Sequence, residues 1–229
     1  MKKLLFLLVA AMPLCADTSI SALKEELGLH KEQTQEACHL ILVHHGDTDW
    51  TVKRKLQGWT DISLNETGRA QMQELSKQLA DLPIAAIYSS DLSRAAESAQ
   101  IIAQGHECDI ILAPELKGED HGNLDGLDKS QYSKDPHYIQ YKQLSAEEKI
   151  FTSLGEAGES KADVARRAIP FIKQIAQKHP GETVVIVTHG GVLKFINFLL
   201  GNYTAQEIDE VPHGRIMYYD ATGSGFSGG

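Results

Sequence analysis

Two apolar runs constrain this chain more than any other feature of it. Leu40 to Val43 leads into His44-His45-Gly46, and Thr183 to Val187 leads into Thr188-His189-Gly190-Gly191. Short runs of this kind, closed by glycine, read as buried strands that end in tight turns. Helices and further strands fall around them. Asn65 can cap a helix whose apolar positions Met72, Leu75, Leu79 and Leu82 recur at helical spacing. Ala85 to Tyr88 reads as the next strand. Asp91 is placed to cap a helix through Ala103 that buries Leu92, Ala95, Ala99 and Ile102. Asp109 to Leu112 gives a third strand. Ser160 and Asp163 have the spacing of a capping box, opening a helix that ends near His179 before Pro180-Gly181. A helix to Leu200, stopped by Gly201, follows the His189 turn, and Ile216 to Tyr219 can form a last strand.

Strands that alternate with helices in this way predict an α/β fold of three layers, a mostly parallel central sheet with helices on both faces. Residues 115–158 break the alternation. They carry Gly118, Gly122, Gly126, Gly155 and Gly158 and no single period, and read as an insertion, helical around Lys129–Gln143 and Ala146–Ser153. The insertion is expected to lie over the site, with residues 127–157 roofing the pocket. The tail, 223–229, is rich in glycine and serine and reads as flexible.

The beginning of the chain has a different character. Lys2 and Lys3 precede an apolar run from Leu4 to Leu14, and the chain turns polar at Asp17. This pattern reads as a secretory signal over residues 1–16, cut after Ala16. The run is too short to span a bilayer, which needs about 20 apolar residues. Residues 17–37 then form an N-terminal extension with a short amphipathic helix around Leu23, Leu27 and Leu29, and residues 38–222 form the body. The expected product is an exported protein, periplasmic or secreted, with no membrane insertion of the mature chain. Cys38 and Cys108 remain after cleavage and can pair only if the fold brings them within bonding distance.

A net charge of −9 argues against nucleic acid or anionic membrane as a partner. An acidic chain can still hold an anion in a pocket built from selected basic groups. In open parallel sheets ligands sit beyond the carboxyl ends of the strands, where His45 and His189 fall. Each is followed by glycine, which lets the backbone turn sharply and a ligand approach closely. No Gly-x-Ser-x-Gly elbow and no Walker loop is present. His44 and His45 are adjacent, so on a strand they are expected to point apart, and no CxxC pair accompanies them. Neither a metal nor a cofactor is expected. A neutral imidazole can, however, attack phosphorus directly if cationic donors hold the phosphate oxygens. Arg94, in the first turn of the helix after the second strand, lies at the same sheet edge.

Leu42-Val43-His44-His45-Gly46-Asp47-Thr48, Leu56-Gln57-Gly58-Trp59-Thr60-Asp61 and Leu64-Asn65-Glu66-Thr67-Gly68-Arg69 resemble the opening of the histidine phosphatase superfamily, in its phosphoglycerate-mutase-like branch. Tyr88 to Ala95, Gly158-Glu159-Ser160 and Val187 to Val192 continue the resemblance in order. It implies that His45 is the nucleophile that becomes phosphorylated. His189 is implied as the second pocket histidine and Arg94 as a phosphate-binding arginine. His44, Thr51, Gln57, Gly58 and Gly190 fall on positions that line the phosphate and substrate pocket. Three positions depart from the pattern. His44 occupies the slot of an arginine, and Thr51 that of an asparagine. Gly118 occupies the slot of the acid four residues before Gly122. Glu119, or Asp120 beside it, is then the candidate general acid.

The resemblance implies a phosphomonoester hydrolase acting on a small phosphorylated substrate. Two alternatives stand beside it: a degenerate member that binds a phosphorylated ligand or protein without turnover, and a phosphoglycerate-mutase-type phosphotransferase.

Overall fold

In the computed structural model the described residues are 19–29, 36–199, 216–222 and 225–228. The expected signal, residues 1–16, lies outside them, as does the expected stop at Gly201. The strands are β1 (Cys38–His44), β2 (Ile84–Ser89), β3 (Asp109–Leu112), β4 (Thr183–Thr188), β5 (Ile216–Thr222) and β6 (Gly225–Gly228). They form one sheet in the order β3-β2-β4-β1-β5-β6. The four strands from β3 to β1 run parallel, and β5 and β6 are antiparallel additions at one edge. The three-layer α/β expectation therefore holds. Residues 225–228, read as flexible tail, instead add a ladder on β5, pairing Tyr219 with Gly228 and Thr222 with Gly225.

The alternation of side chains along a strand builds two cores. Leu40 and Leu42 of β1, Tyr88 of β2 and Val184 and Ile186 of β4 face one side. There they pack on α7 (Lys161–Lys178) and α8 (Gly190–Leu199). Ile41, Val43, Ile87, Val185 and Val187 face the other side. They meet Met72, Leu75 and Leu79 of α3 (Glu66–Leu79) and Ala95, Ala99 and Ile102 of α4 (Ser93–Ala103). β4 is covered on both faces, which is why its sequence is a continuous apolar run rather than an alternating one.

The N-terminal extension is docked. α1 (Ile20–Glu26) buries Leu23, Leu27 follows it into the core, and Glu26 pairs with Arg166 of α7 at 3.0 Å. The short helix α2 (Asp49–Val52) follows β1 under its Thr48 cap, and Asn65 caps α3 through Gly68 N at 2.8 Å, as its position predicts. Leu82 does not join the buried stripe, because α3 stops at Leu79. The Ser160–Asp163 capping box is formed. Asp91 does not cap α4. The first-turn amide of Ser93 is taken by Asp61 from a distant loop, at 2.7 Å, while Asp91 pairs with Lys117 at 3.4 Å. Cys38 and Cys108 are unpaired. β2 and β4 separate β1 from β3, and three strand spacings put roughly 14 Å between their lines, beyond the reach of a disulfide.

The insertion is partly helical, as expected, with a break. α5 (Lys129–Tyr132) and α6 (Pro136–Gln143) are separate helices, each with its own aspartate cap, Asp128 and Asp135. Pro136 starts α6, where its missing N–H costs nothing. Among the described residues no helix is long and apolar enough to cross a membrane.

Candidate active site

The carboxyl ends of β1, β2 and β4 meet in one place. His45 N donates to Thr188 O at 3.1 Å and Ser90 N donates to Val187 O at 3.0 Å, so the ladder extends one residue past the strands before the chain turns. His45 and His189 leave the sheet at this turn, with ring centroids 5.0 Å apart in an edge-to-face arrangement. Gly46 is required here: a Cβ on it would lie 2.5 Å from the backbone oxygen of Gly68. His44 and His45 do not point apart as successive strand residues would. The strand ends at His44, and both rings line the pocket with centroids 4.3 Å apart.

Arg94 is the largest charged group in the interior, with 1% of its surface exposed. Each of its three nitrogens donates one hydrogen bond, which leaves two N–H groups for a ligand. Nε donates to His45 Nε2 at 3.2 Å, Nη1 to Thr60 O at 3.1 Å and Nη2 to Gly58 O at 2.7 Å. Burial lowers its pKa to about 10, opposed by the charges of Asp61 and Asp125, so it remains cationic near neutrality. An arginine can only donate, so His45 Nε2 must be the unprotonated nitrogen. The proton is on Nδ1, which donates to Gly46 O at 2.8 Å. The ring is thus fixed with the Nε2 lone pair toward the cation.

The loop that receives Arg94 is itself held. Asp125 Oδ2 accepts from Trp59 N at 2.9 Å and from Thr60 N at 3.2 Å. Burial raises the Asp125 pKa, opposed by His121 and by these two backbone donors. Gly58 has φ +44°, and a Cβ there would fall 1.7 Å from Asp125 Oδ1, so the loop closes only with glycine.

His189 is buried, and Nε2 meets Ser90 Oγ at 2.9 Å. Its pKa lies well below 6.5, first because of burial and then because of the nearby His45, Arg94, His44 and Arg167. It is neutral near pH 7. Gly190 begins α8, a ten-residue helix with its N-terminus at the pocket. All these groups open into one pocket of roughly 540 Å³. His45, His189, Arg94, Glu119, His44, Thr51, Gln57, Gly58 and Gly190, the residues singled out in the sequence, all line it. Thr51 and Gln57 are joined, Gln57 Nε2 donating to Thr51 Oγ1 at 3.0 Å, and Gln57 Oε1 accepts from Thr48 Oγ1 at 3.0 Å.

Comparison with known proteins gives the family. Residues 40–221 match the histidine phosphatase superfamily (branch 1). The chain belongs to that superfamily. A metal-independent phosphoserine phosphatase of Arabidopsis thaliana is 38% identical over 169 residues, covering 70% of this chain and 68% of the relative. Phosphoglycerate mutase-like protein 4 of the same plant is 36% identical over 157 residues, 68% of this chain and 67% of the relative. Among solved structures, YhfR of Bacillus stearothermophilus superposes with a TM-score of 0.75 at 31% identity, covering 84% of this chain and 95% of that one.

The site of this histidine phosphatase chain differs from the sequence expectation in its walls. Residues 127–157 contribute no lining side chain. The wall is made by Arg54, Lys55 and Leu56 on one side and by Gly118, Glu119 and His121 on the other. Gly126 and Leu127 act from behind: Leu56 N donates to Leu127 O at 3.0 Å, and Gly126 N donates to Leu56 O at 2.8 Å. Arg54 and Lys55 went unnoticed in the sequence, although the three consecutive cations Lys53-Arg54-Lys55 just before Leu56-Gln57-Gly58 in an acidic chain are a readable signal.

The Gly118 wall is pinned by long-range contacts. Arg167 of α7 donates to the carbonyls of Glu115, Lys117 and Gly118 at 2.8, 2.7 and 2.6 Å, and Trp59 Nε1 donates to Gly118 O at 2.9 Å. Glu159 holds Arg167 at 2.7 Å. A Cβ on Gly118 would come within 3.1 Å of His189 Cβ and Cγ, so His189 occupies the room beside the position where the family places its acid. Asp120 is committed elsewhere. Its Oδ1 accepts from Gly122 N at 2.8 Å, and it does not line the pocket. Glu119 does, with 11% of its side chain exposed. Among the described residues no group of three or more His, Cys, Asp or Glu side chains is gathered as a metal site.

Proposed function

We propose that this chain hydrolyses a small phosphomonoester in two steps, through a phosphohistidine on His45. One observation carries the reading. His45 Nε2 is held unprotonated, with its lone pair turned into a buried cationic pocket, by Arg94 on one side and the Nδ1–Gly46 bond on the other. A substrate phosphoryl group takes its place against Arg94, His44, His189 and the N-terminus of α8. Nε2 attacks phosphorus, the leaving oxygen takes a proton from the wall that carries Glu119, and water then attacks the phosphohistidine. Fixed cations and oriented donors stabilise the charge that develops on the phosphoryl oxygens. The names of the relatives support a hydrolase acting on small phosphorylated metabolites of the phosphoserine kind.

The test is to incubate the protein with an aryl phosphate and look for an acid-labile phosphoryl group at His45 by mass spectrometry. Its absence during measurable turnover would overturn the mechanism. The replacement of an arginine by His44 favours a second reading, a binder of phosphorylated ligands with little turnover. Tight phosphate binding without hydrolysis of any ester would establish that one instead. Export belongs to the same proposal and is supported by the basic and apolar pattern of residues 1–16. Amino-terminal sequencing of the protein made in its own cell checks it, with a start at Asp17 expected.

A further inference from the structure

Chemistry at the leaving oxygen requires a proton donor, and position 118, where the family resemblance expects one, holds glycine. Directly beside it stands an unexplained group. His121 Nδ1 is buried and makes no hydrogen bond, and Nε2 makes none either. A buried imidazole nitrogen without a partner is rare enough in folded proteins to ask for a reason. Its ring lines the same pocket as His45 and Arg94. The nearest acidic oxygen is Glu119 Oε1, 3.8 Å from Nδ1, with the two side chains 11% and 19% exposed. That separation is too long for a hydrogen bond and short enough to close by a side-chain rotation. Catalytic hydrogen bonds are often this loose before substrate binds.

We propose that His121 is the proton donor to the leaving oxygen and that Glu119 is its positioning carboxylate. A histidine–carboxylate pair at 119 and 121 thus does the work of the single acid absent at 118. The inference rests on the hydrolase reading above and assigns its missing proton. Near neutrality an imidazole carries and gives up a proton readily, whereas an ordinary carboxyl group has already lost its own. With Nδ1–H turned onto Glu119, Nε2 is the nitrogen left to face a substrate. In the first step the bond from His45 Nε2 to phosphorus forms as the bond to the leaving oxygen breaks. The electron pair stays on that oxygen, which takes the proton from His121 Nε2. In the second step the neutral His121 removes a proton from the attacking water, the phosphorus–nitrogen bond breaks, and His45 and the His121 cation are restored.

Charged groups of both signs surround His121. Glu119, Asp120 and Asp125 lie on its own segment, and Asp125 interacts with it electrostatically. Arg167 from α7 and His189 after β4, which meet the wall at Gly118, oppose them.

The experiment compares kcat/KM for an alkyl phosphate and an activated aryl phosphate in wild type, His121→Gln and Glu119→Gln. A poor leaving group needs the proton and a good one does not. His121→Gln is expected to lower alkyl turnover by about 10² more than aryl turnover. Glu119→Gln should give a smaller selective loss, and the basic limb of the alkyl pH profile should move to lower pH as the cation loses its carboxylate. Aryl activity reports that each variant is folded. A selective loss confined to Glu119→Gln, with His121→Gln keeping the wild-type alkyl-to-aryl ratio, would return the acid role to the carboxyl and overturn the proposal. Equal losses on both esters in His121→Gln would also overturn it, in favour of a structural role. Wild type that hydrolyses neither ester would remove the hydrolase reading itself.

Discussion

Arg94 Nε donates to His45 Nε2 across 3.2 Å. The same guanidinium is fixed by two backbone carbonyls, of Gly58 and Thr60, and those are fixed by Asp125. The His45 tautomer is therefore set by a chain of contacts that runs from the 125 turn, through the 58–60 loop, to the first turn of α4. Arg94 holds the His45 ring, and in the proposed reaction its charge would meet the phosphate.

Arg94→Lys keeps a positive charge and loses the planar fork that reaches three acceptors at once. We expect kcat/KM to fall by about 10²–10³. Carbonyl groups left unpaired around a buried lysine should also lower the melting temperature. Steady-state kinetics on one aryl phosphate and a thermal melt check both, and near wild-type values in the two measurements would show that the fork is not needed.

His44→Arg is expected to extend activity to higher pH. An imidazole loses its charge near neutrality, whereas a guanidinium keeps it. His44 lines the pocket with its ring centroid 4.3 Å from that of His45, close enough for a charge there to act on the same phosphate. Profiles of kcat/KM against pH for the two proteins should separate on the alkaline side. Superimposable profiles would show that His44 has no contact with the phosphate.

The neutral state of His189 makes stability depend on pH in a defined direction. Its folded pKa is depressed below the value of about 6.5 that it has when unfolded. Below about pH 6.5 the unfolded chain binds a proton that the folded chain refuses, so stability falls as pH falls through that range. Above it the two states are alike and the contribution is flat. Melting temperatures of the phosphate-free protein should therefore drop between pH 7.5 and 5.5, and His189→Gln should make the drop shallower. An unchanged slope in the variant would place the acid sensitivity elsewhere.

Gly118→Ala tests how closely the wall is fitted to His189. The added methyl would meet His189 Cβ and Cγ at 3.1 Å, and Ser90 backs the ring at 2.9 Å on Nε2. Crowding of this kind costs about 1–3 kcal/mol when neighbours cannot yield. We expect a lower melting temperature and weaker inorganic phosphate binding, read by calorimetry. For the same reason Gly118→Glu should not restore an acid to this pocket. A gain in alkyl phosphate turnover in that variant would contradict the fit described here.

Much of the molecule was legible in the amino acids because the relevant forces act along the chain. The apolar run Val184–Val187 is buried on both faces of the sheet, and such a strand can only be continuous in sequence. Asn65 and the Ser160–Asp163 pair cap their helices because a cap reaches two or three residues ahead. Parallel strands turn at one edge, so the two His-Gly turns and Arg94 were bound to meet there. What the tertiary structure alone decided are contacts between residues far apart in the chain, which no local period records. Asp61 displaces Asp91 as the partner of the α4 amides, 32 residues away. Arg167 and Trp59 pin the Gly118 carbonyl, and Asp125 holds the loop that receives Arg94. The pocket wall fell to Arg54, Lys55 and His121 rather than to residues 127–157, since Gly126 and Leu127 lie behind that wall and support it through backbone bonds to Leu56. His45 was legible in the sequence; the tautomer of its ring and the charge around it come from groups that only the folded chain brings within reach.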